Sequence, residues 1–82
     1  MLTPNSIAGN APQTITRDTR AKQLLVDNLD PTNSFTVKIN DDTGPGKTLN
    51  PGEHLGLRDN AGFYKVIITP VAGTPAFEVL FL

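Results

Sequence analysis

Cysteine and tryptophan are both absent from the 82 residues, histidine occurs once, and neither sign of charge dominates. Without cysteine there is no disulfide framework, no thiolate metal site and no cysteine nucleophile. With 7 Lys and Arg against 8 Asp and Glu, the formal net charge is −1. No basic field is available to hold nucleic acid or an anionic membrane. Charged residues make up only 18% of the chain, below the typical ~25%. Aromatic residues are few as well, four Phe and one Tyr. Long hydrophobic runs are also missing. No apolar stretch approaches the roughly 18 residues of a membrane span, and residues 1–5 show neither a basic start nor an apolar run. No membrane span and no targeting signal are therefore expected.

What is present is enough for a fold. Leu, Ile, Val and Phe together account for 23 of the 82 residues, about 28%, above the ~20% below which chains tend to be disordered. One small domain is the size limit. A core this small rarely contributes more than about 3–5 kcal/mol net. With disulfides excluded and metal ligands poor, docking on a partner or self-association is expected to make up the difference.

Residues 1–12, MLTPNSIAGNAP, are uncharged and mix Pro, Asn, Gly and Ala with isolated Leu2 and Ile7. Pro4, Gly9 and Pro12 forbid a helix, and no strand alternation is visible. This segment reads as an extended N-terminal arm. Deleting it should weaken assembly and leave the β-fold intact. Residues 13–82 form the domain, a series of short β-like segments between turn formers. Residues 13–19 alternate weakly around Ile15. Residues 22–29 place Leu24 and Val26 on one side, Leu25 and Leu29 on the other. Asp30-Pro31-Thr32-Asn33 is a turn. Residues 34–40 form the cleanest strand, with Phe35, Val37 and Ile39 on one face. Pro51-Gly52 suits the centre of a type II turn. Residues 53–58 put Leu55 and Leu57 together, and Asp59-Asn60-Ala61-Gly62 predicts a tight turn into the strand of residues 63–69. After a break at residues 70–75, residues 76–82 close the chain. Six to seven short strands with Gly, Pro and Asn turns predict an all-β fold: a small antiparallel β-sandwich or jelly-roll-like barrel.

Catalytic chemistry finds little support. The sole histidine, His54, falls on the predicted solvent face of a strand, and neither Ser6 nor Ser34 sits in a nucleophile elbow. Asp41, Asp42, Glu53 and Asp59 lie in or beside turns, where Asp is expected for side-chain-to-backbone bonds; Asp27 and Glu78 lie in strands. Residues 40–44 have the oxygen content of a calcium loop, but Pro51 stands where a bidentate Glu would be needed. Gly46-Lys47-Thr48 lacks the upstream glycine of a phosphate loop. Phe63-Tyr64-Lys65 and Arg58 form only a fragment of a nucleic-acid-binding pattern, and these aromatics are needed in the core. No catalytic residue, metal or cofactor is expected.

The apolar surplus points elsewhere. In the last strand Phe77, Val79 and Phe81 form one face, yet Leu80 and Leu82 occupy the other. Two-sided apolar strands are covered on both faces, while a sandwich covers only one face of each sheet internally. Leu80, Leu82 and Ile67 are therefore expected either to lie under the N-terminal arm or to face another subunit. With Leu2 and Ile7 of the arm, Leu80 and Leu82 are the candidate interface residues, and a homo-oligomer is expected.

The stretch Leu29-Asp30-Pro31-Thr32-Asn33-Ser34-Phe35-Thr36-Val37-Lys38-Ile39 is a polar turn feeding an alternating strand. Leu49-Asn50-Pro51-Gly52-Glu53-His54-Leu55-Gly56-Leu57 repeats the arrangement. Together, over roughly residues 22–82, they resemble small β-sandwich virion proteins of bacteriophages, of the minor capsid, vertex or decoration type, and are similar to many immunoglobulin-like accessory domains. The resemblance implies a non-enzymatic structural protein, located in the virion, that docks on or between capsid subunits. A receptor- or carbohydrate-binding β-sandwich module is the alternative.

Overall fold

The computed structural model describes residues 6–40 and 43–82. Six strands follow in chain order: β1 (Ser6–Asn10), β2 (Gln13–Asn28), β3 (Phe35–Ile39), β4 (Lys47–Leu49), β5 (His54–Pro70) and β6 (Ala76–Phe81). They form one antiparallel sheet in the order β1-β6-β2-β5-β3-β4. The expectation of a small all-β fold holds.

Two long strands, β2 with 16 residues and β5 with 17, let a single sheet make both layers. The last third of β2 pairs with β6 and with residues 54–58 of β5. Its first residues, 13–16, pair instead with residues 65–68, where β5 also carries β3. Between these regions the sheet turns over, and the ring of Phe35 on β3 meets that of Phe77 on β6 edge-on at 6.3 Å. Strands that pass from one layer to the other through bulges are how folded sheets make corners. The inner faces supply Leu24, Val26, Phe35, Val37, Val66, Ile68, Phe77, Val79 and Phe81, each no more than 2% exposed. These are the alternate residues of their strands, as the two-residue period requires.

Three expectations change. Residues 13–19 and 22–29 are one strand, and so are residues 53–58 and 63–69. The Asp59-Asn60-Ala61-Gly62 turn chemistry is present, with Asp59 Oδ1 accepting from the Ala61 N–H at 2.9 Å, but it builds a bulge inside β5. Third, the arm is a strand from Ser6 to Asn10, so the division at residue 12 does not separate an arm from the domain. β6 has an edge to fill; β1 pairs along it from Ser6↔Leu80 to Asn10↔Ala76. Ile7 and buried Ala11 join the core. With Gly, Asn and Ala among its five residues, β1 is held by β6's backbone, which no side-chain alternation announces.

Candidate functional site

Because Phe77, Val79 and Phe81 on β6 and Leu24 and Val26 on β2 point inward, their neighbours in sequence form the outer face of the β1-β6-β2-β5 layer. Pairing arranges that face in rows. Leu80 lies opposite Leu25, and Leu25 opposite Gly56. A Cβ on Gly56 would come within 3.2 Å of Leu25 Cδ2, so the leucine leans over the glycine. Leu25 is 39% exposed and Leu82 60%, whereas Leu80 is half-buried. Leu82 follows β6 and is tied to β2 through its N–H, which donates to the Gln23 carbonyl at 2.9 Å.

Charged rows flank the leucines. On one side Glu78 lies opposite Asp27, which lies opposite His54. Like charges directly across a sheet are unfavourable, and His54 is the basic neighbour on the far side of Asp27. On the other side Gln23 lies opposite Arg58; with the amide turned so that its oxygen faces the guanidinium, Gln23 accepts from Arg58 Nε at 3.1 Å.

The four interface residues expected from sequence fare differently. Leu80 and Leu82 belong to this outer face. Ile7 is opposite Val79 and packs on the core, so it faces inward. Leu2 lies outside the described residues. Leu25 joins the face although sequence reasoning did not select it; its position out of phase with Leu24 and Val26 was the available signal. Leu29, at 56%, and Val71, at 65%, are exposed beyond the strands.

The polar residues considered for chemistry are placed as follows. His54 is exposed beside Asp27. Ser34 Oγ is bonded to Asn50 Oδ1 at 3.0 Å. Asp30 caps its own turn. The N–H groups of Asn33 and Thr32 donate to its carboxylate at 2.7 and 3.1 Å, and these bonds hold its pKa below the ordinary carboxylate value. Asp41 and Asp42 lie outside the described residues. Among the described residues no group of three or more His, Asp or Glu is placed to hold a metal ion. No helix among the described residues is long and apolar enough to cross a membrane.

Comparison with protein-family models, curated proteins and solved structures finds no match to the chain.

Proposed function

We propose that the chain is a non-enzymatic structural protein of a virus particle, a minor capsid, vertex or decoration component that self-associates and docks on coat subunits. The observation that carries the docking role is the leucine row on the outer face. The core is made by Phe35, Phe77, Phe81 and the aliphatic residues around them on the inner faces, so Leu25, Leu80 and Leu82, on the outer face, are surplus to it. Fully burying an exposed leucine contributes about 1.5–3 kcal/mol, and these three, already partly covered, would contribute the share that their remaining exposed surface represents. The particle context is supported by the two turn-and-strand segments at residues 29–39 and 49–57, through their likeness to phage virion sandwiches.

Sedimentation of the purified chain tests this reading. Oligomers are expected, with Leu80→Asp plus Leu82→Asp yielding a soluble, folded monomer and association weakened at least about tenfold. A concentration-independent monomer from the unaltered chain would refute it.

A further inference from the structure

The first part of β5 is an unguarded edge. Residues 54–58 pair with β2 on one side, and no strand among the described residues lies along the other. Such an edge offers backbone donors and acceptors to any further strand. Residues 13–16 of β2, whose side away from β5 is likewise without a strand among the described residues, run into the charged pair Arg17-Asp18. Two of the other outer strands are protected by the usual means. β1 has five residues and is followed by Pro12, and β4 has three, between Pro45 and Pro51. In β5 no proline occurs before Pro70, and the inward side chains next to the edge are Leu55 and Leu57, neither of them charged.

Beside this edge, between the two layers, lies a cavity of about 450 Å³ lined chiefly by Val37, Ile39, Pro45, Lys47, Leu55 and Leu57. β4 and β5 converge at Asn28, whose side-chain amide donates to the Leu49 carbonyl and whose backbone N–H donates to that of Glu53. The cavity opens where the two strands part.

We propose that this edge takes up an extended segment of another polypeptide, which pairs with residues 54–58 as a seventh strand. Its alternate side chains, apolar at positions two apart, enter the cavity beside Leu55 and Leu57. An apolar small molecule would fill the cavity and leave the backbone row unpaired; a strand satisfies both, as in β-strand addition. The described chain has no strand to spare. β6 is paired on both sides, and β1 lies at the far edge of the same layer. The site is on the inner side of that layer, so it stands or falls separately from the outer leucine row.

Amide hydrogen exchange on the full chain tests the proposal, with a set of lysine-ended octapeptides that alternate threonine with Val, Leu, Ile or Phe. At least one peptide is expected to slow exchange at residues 54–58 by about tenfold or more. Its proline-interrupted version should not. Pro45→Glu, at the exposed lip, should weaken that peptide about tenfold while leaving the circular dichroism unchanged. Leu57→Lys should weaken it further. Because Leu57 also touches the core, Pro45→Glu decides if that variant fails to fold. Three results would overturn the proposal: no slowing with any peptide, dodecanoate binding in the cavity where no peptide does, or slowing at residues 54–58 that appears without peptide as protein concentration rises. The last would assign the edge to a second copy.

Discussion

Asn28 holds one end of the molecule together. It is 2% exposed, yet every polar group of its side chain is used. Its Nδ2 donates to the carbonyls of Asn33 and Leu49, each at 3.0 Å, and its Oδ1 accepts from the Asp30 N–H at 2.9 Å. The backbone of the same residue bonds Glu53 and Gly52. Truncation to Asn28→Ala strands at least one buried carbonyl and should cost about 2–3 kcal/mol, read as a lowered urea midpoint. Asn28→Asp should cost more, since a carboxylate would face two carbonyl oxygens. A midpoint unchanged in both variants would contradict this role. The turn next to Asn28 was legible because its bonds are local: Asp30 serves Thr32 and Asn33, two and three residues on. Asn28 was not. Its main partner, Leu49, lies 21 residues away, and an Asn ahead of a turn looks like one more turn former. Asn40 was equally hidden. It ends β3 with φ 57° and clamps the β5 bulge, donating to the Gly62 carbonyl and accepting from the Tyr64 N–H.

At the scale of elements, the strands with unbroken alternation were readable and the bent ones were not. β3 and β6 each keep one phase throughout, and both were located to within a residue or two. β2 and β5 change phase midway. Inward residues are Ile15 and then Leu24 and Val26 on β2, and Leu55 and Leu57 and then Val66 and Ile68 on β5. An odd slip erases the period, and Asp59-Asn60-Ala61-Gly62 supplies a plausible turn at the slip. In the fold that segment bulges under Arg20, whose guanidinium donates to the Ala61 carbonyl at 3.1 Å and sits 4.6 Å over the Tyr64 ring. The outer leucine face was half legible for the same reason: Leu80 and Leu82 follow from the regular β6, while Leu25 needed the pairing of β2 with β6. β1 allows a direct test. Removing residues 1–10 exposes the β6 edge and takes Ile7 off the core, so stability to urea should fall by at least about 2 kcal/mol. An unchanged midpoint would restore the view of this segment as an appendage.

The molecule as a whole measures 35 × 32 × 18 Å, two layers thick. Both layers are built from β2 and β5, so neither can unfold while the other stays paired. Unfolding should therefore be a single transition. Urea curves followed by far-ultraviolet circular dichroism and by Tyr64 fluorescence are expected to coincide. Separate midpoints would mean that the corner is a hinge between two independent units. The corner itself carries a further meaning. From the pair Thr16↔Lys65 to the pair Ala21↔Phe63, β2 advances five positions while β5 moves two; from there to Gln23↔Arg58, β2 advances two while β5 moves five. The second excursion undoes the first, as a suppressor restores the reading frame after a frameshift. Length changes at the corner are consequently bound in pairs. A residue lost from one bulge is tolerated only with its counterpart lost from the other, because a single loss would turn one layer's leucines and valines out to water.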